Sequence, residues 1–249
     1  MIRARHRKGR GIHPPFAYNF TREVVFGEVN AELKRIEELR KSLLVKRNKV
    51  RVSDKGAGSR KIKGEERRSG DVVRHTAVGT KKGQLLGRIA VSLGFPLILE
   101  LGTGTGFSSM YMGMACPFSK VLTCEGSQTI ADLARGNIQQ MEINNIEVHN
   151  DDFANWLPRI LNQFSGEMLV FIDGDHRGEK MMEYCDMIIN SGNNKKVIIL
   201  DDIHWSTDMY QAWKKLIKKD KVSLSLELFN IGIIFLSYPV QQNNFIIRY

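Results

Sequence analysis

The residues best suited to chemistry follow a short apolar run that contains a carboxylate. The run Leu97–Leu101 includes Glu100, and glycines then alternate with threonines at Gly102, Gly104 and Gly106. A continuous apolar run is typical of a buried parallel strand, and glycine lets the backbone turn sharply and a ligand approach closely. The helix predicted after the turn would present unpaired N–H groups to that ligand. We therefore expect a nucleotide-type ligand at the carboxyl end of this strand, where open α/β sheets bind ligands.

The spacing of the glycines distinguishes between cofactors. A dinucleotide site uses G-x-G-x-x-G, whereas this turn is G-x-G-x-G preceded by Glu100. The segment resembles the E/D-x-G-x-G-x-G signature of the class I S-adenosylmethionine-dependent methyltransferases. The resemblance implies that Glu100 lies near the methionine amino end of S-adenosylmethionine and that the turn of Gly102, Gly104 and Gly106 passes beneath the cofactor. The same spacing disfavours a nicotinamide dehydrogenase.

Acidic residues also follow the next two predicted strands. Glu125 follows the apolar run Val121–Cys124, where a carboxylate can accept hydrogen bonds from both ribose hydroxyls, and the family has an acidic residue in this place. Asp151 and Asp152 follow the third strand, where the resemblance implies an acid near the adenine amino group. We select Asp152, because Phe153 beside it could pack on the adenine ring. The alternative for each of these acids is a helix cap or a solvated loop residue.

Carboxylates at the ends of two further apolar runs predict a metal site. Asp173 follows Met168–Ile172, and Asp201 and Asp202 follow Val197–Leu200. Clustered carboxylates repel one another unless a cation or hydrogen bonds compensate, and three oxygen ligands suit Mg²⁺ or a similar hard divalent cation. Such a cation could bind a substrate hydroxyl and lower its pKa. The alternative is that these acids cap helices or bind water.

The same carboxylates are the basis of a second resemblance to a known family, which covers residues 97–215. One acid after the fourth strand and an Asp–Asp pair after the fifth resemble the metal-dependent O-methyltransferases of the catechol, caffeoyl-CoA and macrolide-sugar types. The resemblance implies that Asp173, Asp201 and Asp202 hold the cation and that Asp173 takes part in catalysis. The chain departs from the pattern at Ser191–Asn194, which replaces the usual Pro-Gly-Gly turn. Its basic N-terminal third has no counterpart in the catechol enzymes.

Two histidines lie within a few residues of the predicted metal ligands. His176 follows Asp173, and His204 follows Asp202. Either could act as a general base, because an unperturbed histidine titrates near neutrality. A structural role is the alternative for each.

The alternation of strands and helices in residues 76–249 predicts an α/β fold. We expect a Rossmann-like, doubly wound, mostly parallel seven-stranded sheet with a C-terminal antiparallel hairpin. Residues 1–75 are predicted to form a separate basic extension. In that extension, apolar residues recur every three or four positions between Arg22 and Asn48, which predicts an amphipathic helix that covers the catalytic domain or, in a homodimer, a second copy of the chain. The glycine-rich, cationic segment 50–68 is predicted to be a loop, either a linker or a lid over the substrate.

The positive charge of the chain is concentrated in that extension. The net charge is +10, and residues 1–75 carry 21 Lys and Arg against nine Asp and Glu, whereas the remainder is slightly negative. This asymmetry predicts a polyanionic partner or an acidic small substrate, with a solvated basic surface as the alternative.

These patterns together predict a cytoplasmic S-adenosylmethionine-dependent methyltransferase that acts on an oxygen of a small, anionic acceptor. The three cysteines are widely spaced, and the sequence has neither a secretory signal nor an apolar run long enough for a membrane span. One alternative is an RNA methyltransferase whose basic N-terminal third binds nucleic acid through counterion release. Another is a non-catalytic protein that binds the cofactor.

Overall fold

The computed structural model describes residues 6–7, 11–13, 15–28, 30–51 and 66–249 of the chain. Most of the loop predicted at residues 50–68 lies outside these residues, so its proposed roles as linker or lid are not addressed by the structure.

The helices and strands are numbered here in chain order within the described residues. The α-helices are α1 (Pro15–Asn19), α2 (Lys34–Leu44), α3 (Ser69–Thr76), α4 (Thr80–Leu93), α5 (Phe107–Ala115), α6 (Gln128–Gln140), α7 (Phe153–Gln163), α8 (Gly178–Asn190) and α9 (Thr207–Leu216). The strands are β1 (His6–Arg7), β2 (Lys49–Arg51), β3 (Glu66–Arg68), β4 (Leu97–Leu101), β5 (Lys120–Glu125), β6 (Ile146–Asn150), β7 (Met168–Ile172), β8 (Lys196–Leu200), β9 (Val222–Leu228), β10 (Ile231–Leu236) and β11 (Asn243–Arg248).

The chain forms two compact units. One is Val29–Trp156, and the other combines Met1–Glu28 with Leu157–Tyr249. These bounds differ from the predicted division into residues 1–75 and 76–249, which stays a prediction about domain organisation.

In the unit Val29–Trp156, three parallel strands bring the predicted cofactor residues to one edge. β4 pairs with β5, with Leu101 opposite Cys124, and β5 pairs with β6, with Glu125 opposite Asn150. Every residue of β4 is buried, as expected for a strand covered on both faces. The carboxyl ends of these strands therefore lie side by side, just before the glycine turn and the acids that follow β5 and β6.

In the other unit, β7 and β8 are parallel, and all their residues are buried. β8 pairs antiparallel with β10, which forms a hairpin with β9 around Phe229 and Asn230. The predicted C-terminal antiparallel hairpin is thus confirmed. β11 pairs parallel with β9, and β1 with β11, so the described strands outnumber the seven predicted while their pairing stays mostly parallel.

The predicted helix between Arg22 and Asn48 is interrupted, and in this respect the prediction was wrong. A π-helical turn, Phe20–Val25, ends before Gly27, and a new helical segment begins at Ala31 after Asn30, whose side chain accepts a hydrogen bond from the N–H of Glu32. Glycine and an asparagine cap are typical of such a break. The break explains why one continuous apolar stripe does not produce one helix.

The apolar face of α2 is covered within its own unit. Ile36, Leu39 and Leu43 are buried, and Glu37 accepts a hydrogen bond from the hydroxyl of Tyr111 on α5. Of the two predicted partners for this apolar face, the catalytic domain or a second copy of the chain, the first is therefore sufficient to cover it. None of the described helices has the length and apolar character that a membrane span requires.

Candidate functional site

The glycine turn after β4 adopts a backbone that only glycine tolerates well. Gly102, Gly104 and Gly106 have φ values of +103°, +52° and +86°. A Cβ added to Gly104 would lie 3.0 Å from the carbonyl oxygen of Thr76, and one added to Gly106 would lie 3.3 Å from the Cβ of Ala134. Both the backbone conformation and the close packing against Thr76 and Ala134 therefore favour glycine here.

Glu125 lies directly beside this turn. One carboxylate oxygen accepts a hydrogen bond from the N–H of Gly104 at 3.0 Å, and the other accepts one from the N–H of Ser127 at 2.9 Å. The side chain is only partly buried. The structure thus brings the predicted ribose-binding carboxylate and the predicted glycine turn into contact.

Glu100 is fully buried beneath the turn and belongs to a network of hydroxyl groups. Its Oε2 accepts hydrogen bonds from Ser109 and from Thr123, the latter at 2.6 Å, and Thr123 lies 2.6 Å from the hydroxyl of Thr103. Its Oε1 is buried without a hydrogen-bond partner among the described residues. Burial raises the pKa of Glu100 to about 7, although hydroxyl donors such as Ser109 oppose the shift. A buried carboxylate with one unsatisfied oxygen can accept a cationic donor from a ligand.

The pKa of Glu100 predicts how its replacement changes stability. A carboxyl group whose pKa is raised by folding stabilises the protein below its unfolded pKa, and this stabilisation is lost as the pH rises through about 7. Glutamine does not titrate. Without cofactor, the free energy of unfolding of Glu100→Gln minus that of the wild type should therefore be about 3 kcal/mol larger at pH 8 than at pH 4. Urea unfolding at both pH values measures this difference, with the exposed Glu38→Gln as a control, and a difference that does not change with pH would contradict the burial argument.

Asp152 caps a helix in the structure. Its carboxylate accepts a hydrogen bond from the N–H of Ala154 at 2.9 Å, and its carbonyl accepts one from the N–H of Trp156. Asp151 in turn accepts a hydrogen bond from the N–H of Asp152. Asp152 therefore acts as the helix cap that the sequence left open as an alternative. The residue is exposed at the edge beyond β6, and its role toward adenine stays a prediction.

The second group of predicted residues lies at the carboxyl ends of β7 and β8. The N–H of Asp201 donates to the carbonyl of Ile172, so the segment after β8 lies against the end of β7, where Asp173 follows. Asp201 is 4% exposed, and its carboxylate accepts a hydrogen bond from the N–H of Asp202. Asp202 has a φ of +50°, and its carboxylate accepts a hydrogen bond from the side chain of Asn230.

These carboxylates do not form a metal site as they stand. In the described parts of the chain, no group of three or more His, Cys, Asp or Glu side chains is arranged to hold a metal ion. Asp201 and Asp202 each direct an oxygen at a protein N–H donor instead. The predicted role of Asp173, Asp201 and Asp202 as metal ligands therefore stays a prediction.

His204 is held by a buried acid that the sequence analysis missed. Its Nε2 lies 3.1 Å from Oε1 of Glu227 on β9, and Oε2 of Glu227 accepts a hydrogen bond from the indole N–H of Trp213 at 2.9 Å. Glu227 is 4% exposed. Gly232, opposite Glu227 in the hairpin, leaves the space that Trp213 needs, because a Cβ there would lie 2.6 Å from the indole ring. The sequence signal that could have identified Glu227 is that it is the single acid in the otherwise uncharged strand Val222–Leu228.

His176 has a different environment. Its ring lies 5.3 Å from the ring of Trp205, which is 46% exposed, and the adjacent Asp175 forms a two-point contact with Arg177. Of the two histidines, His204 is therefore the one fixed by a buried hydrogen-bond partner.

Comparison with known proteins agrees with this geometry. Residues 99–203 match a family model described as a methyltransferase domain. A catechol O-methyltransferase of Mycobacterium tuberculosis is 30% identical over 130 residues, which are 51% of this chain and 57% of that protein. The chain spans less than two thirds of the length of the curated relatives it matches.

Solved structures share the fold at low sequence identity. An O-methyltransferase from Bacillus cereus, solved in complex with SAH, has a TM-score of 0.59 at 19% identity and covers 86% of this chain and 94% of its own. A putative caffeoyl-CoA O-methyltransferase from Staphylococcus aureus has a TM-score of 0.57 at 15% identity and covers 83% of this chain and 100% of its own. The expected α/β, Rossmann-like fold and the resemblance to class I methyltransferases are confirmed. Residues 99–203 of the chain are thus similar to a methyltransferase domain, and the fold is shared with solved O-methyltransferase structures.

Proposed function

We propose that the protein transfers a methyl group from S-adenosylmethionine to an oxygen atom of an acceptor. The observation that carries this proposal is the contact between Glu125 and the glycine turn with its positive φ values. A turn in which every second residue lacks a side chain, with a carboxylate beside it, fits an adenosine ribose, and the buried, unsatisfied oxygen of Glu100 supports a cationic methionine end nearby. We assign Gly102, Gly104, Gly106, Glu100, Glu125 and Asp152 to the cofactor.

The cofactor, when bound, supplies an electrophilic methyl group, so the protein has to bind and orient the acceptor and remove its proton. We propose His204 as the residue that takes this proton, because Glu227 fixes its ring by a hydrogen bond at Nε2. His176, beside Trp205, is the alternative base. Asp173, together with Asp201 and Asp202, would provide the polar surroundings of the acceptor hydroxyl.

We also propose that Asp173, Asp201 and Asp202 hold Mg²⁺ or a similar divalent cation. What supports this proposal is the chemistry of the donors, since three carboxylates follow two adjoining parallel strands and hard cations prefer oxygen ligands. Binding would require Asp201 and Asp202 to exchange their present N–H donors for the cation. No step of the proposed reaction is routed through a metal.

For the acceptor, we propose a small molecule that carries anionic groups. The concentration of positive charge in residues 1–75 supports an anionic ligand. We further propose a cytoplasmic location, as the cysteine usage of the sequence favours a reducing compartment.

Transfer of labelled methyl groups into a cell extract of the source organism tests this function. With S-adenosylmethionine labelled in its methyl group, we expect a labelled small product whose yield is unaffected by nuclease treatment. A chelator should abolish labelling and added Mg²⁺ should restore it. Full activity in the chelator would overturn the metal proposal alone, whereas cofactor binding with no labelled product would indicate a non-catalytic binding protein.

A further inference from the structure

The ribbon of β2 and β3 has an inner face formed by Val50 and Arg67 and a charged outer face. Its antiparallel register places Lys49 opposite Arg68, Val50 opposite Arg67 and Arg51 opposite Glu66. Val50 packs against a small cluster of buried apolar side chains, Val72 and Ile130 with the partly buried Leu133. Because alternate residues of a strand face opposite sides, the outer face consists of Lys49, Arg51, Glu66 and Arg68, all of which are exposed.

This outer face is strongly cationic. Lys49 and Arg68 are directly opposite each other, an arrangement of like charges that destabilises an antiparallel pair. The one acid of the face, Glu66, lies 3.1 Å from the Nζ of Lys49 in a highly exposed pair, which contributes little. Exposed Lys46 and Arg47 directly precede the ribbon. We name the set Lys46, Arg47, Lys49, Arg51 and Arg68 the cationic ribbon.

The cationic ribbon is tied to the segment that follows the proposed ribose carboxylate. The hydroxyl of Thr129, the second residue of α6, donates to the carbonyl of Arg51 at 2.7 Å. Ser127, two residues earlier, donates its N–H to Glu125. The ribbon therefore packs beside the first turn of α6, in the same unit Val29–Trp156 that carries the proposed cofactor residues.

We propose that the cationic ribbon binds phosphate groups carried by the methyl acceptor. Among the described residues of the ribbon and of the segment before it, basic side chains outnumber the one carboxylate, Glu66. Lys49 and Arg51 lie about 7 Å apart along their strand, which suits several phosphates in an extended ligand. Bound phosphates also remove the repulsion between Lys49 and Arg68. The inference rests on the proposed function, because it concerns the acceptor of that reaction. The same phosphate chemistry is found in a polyphosphorylated small molecule and in an RNA strand.

Binding of two probes to the full chain tests the proposal. One is a fluorescent single-stranded RNA of about 12 nucleotides, a length that spans a typical single-strand site, and the other is inorganic tripolyphosphate, titrated directly by calorimetry. We expect at least one probe to bind the wild type. Tight RNA binding would support a nucleic-acid ligand at the ribbon, and binding of tripolyphosphate alone would support a small phosphorylated one. Binding of neither probe would overturn the proposal.

Charge variants localise the binding. For the RNA probe, the double variant Lys49→Gln with Arg68→Gln should reduce the magnitude of the slope of log affinity against log salt concentration by about 1.4, because two phosphate contacts of about 0.7 each are lost. Its matched control, Lys215→Gln with Lys218→Gln, removes the same charge from exposed positions of the other unit. An equal loss of affinity for the phosphate probe in both double variants would show a general charge effect and overturn the proposal. Removal of the repulsive pair leaves the fold intact, which thermal unfolding checks.

A parallel titration with S-adenosylhomocysteine separates the two proposals. The ribbon variant should bind S-adenosylhomocysteine as the wild type does. If the wild type binds a phosphate probe at the ribbon but not S-adenosylhomocysteine, the proposed function fails while the phosphate surface stands. If it binds S-adenosylhomocysteine but neither phosphate probe, only the ribbon proposal fails.

Discussion

Replacement of Glu125 by alanine should weaken the binding of S-adenosylhomocysteine by about 100-fold, because hydrogen bonds to a charged group contribute about 1.5–3 kcal/mol each. In the proposed complex the carboxylate accepts the ribose hydroxyls, and without the ligand it already accepts the N–H groups of Gly104 and Ser127. The variant therefore loses both a ligand contact and the support of the turn. Isothermal titration calorimetry with the full chain measures the change.

Two further variants separate these contributions. Glu125→Gln keeps one oxygen acceptor and loses the charge, so its affinity should lie between those of the wild type and the alanine variant. Glu147→Ala, an exposed acid on β6 that pairs with Lys120, should bind S-adenosylhomocysteine normally. Wild-type affinity in Glu125→Ala would remove Glu125 from the cofactor site.

If Asp201 and Asp202 hold a divalent cation as proposed, replacement of either by asparagine should lower kcat by about 100- to 1,000-fold, since a cation would contribute several kcal/mol of charge stabilisation at the acceptor oxygen and each 1.4 kcal/mol is tenfold in rate. Asparagine retains an oxygen that can accept the N–H of Asp202 or the side chain of Asn230, so the loop should keep its fold. The affinity for S-adenosylhomocysteine should not change, because neither carboxylate is among the residues assigned to the cofactor. Steady-state methyl transfer at saturating cofactor measures kcat.

The exposed Asp220→Asn serves as the control for charge loss in the same unit and should retain wild-type turnover. Unchanged kcat in both Asp201→Asn and Asp202→Asn would show that these carboxylates serve only to shape the loop after β8. A loss that is equal with and without added Mg²⁺ would support an orienting role without a cation.

Local patterns in the sequence predicted the parts of the fold that local rules decide. The apolar runs of β4, β7 and β8 are continuous because both faces of those strands are buried, so their positions follow from composition alone. The alternate glycines predicted a turn because three positive φ values admit few other residues. The prediction of one helix between Arg22 and Asn48 was wrong because the spacing of the apolar residues continues across the break at Gly27. Apolar periodicity alone does not reveal such a break.

The contacts that the sequence did not predict join residues far apart in the chain. Glu227 meets His204 across 23 residues because β9 reaches that position through the hairpin with β10. The environment of Glu100 depends on hydroxyl groups from α5 and β5, so neither its burial nor its raised pKa follows from the glycine motif. Asp152 shows the opposite case, in which the helix cap that the sequence left open as the alternative to adenine binding accounts for the observed contacts.

The central claim is that the glycine turn and Glu125 hold S-adenosylmethionine, and a crystal structure of the full chain with S-adenosylhomocysteine tests it most directly. We predict that the ribose hydroxyls lie within hydrogen-bond distance of Glu125 and that the ligand contacts the backbone at Gly102–Gly106. A ligand bound elsewhere, or a ribose that contacts other residues while Glu125 keeps only its bonds to Gly104 and Ser127, would contradict the claim.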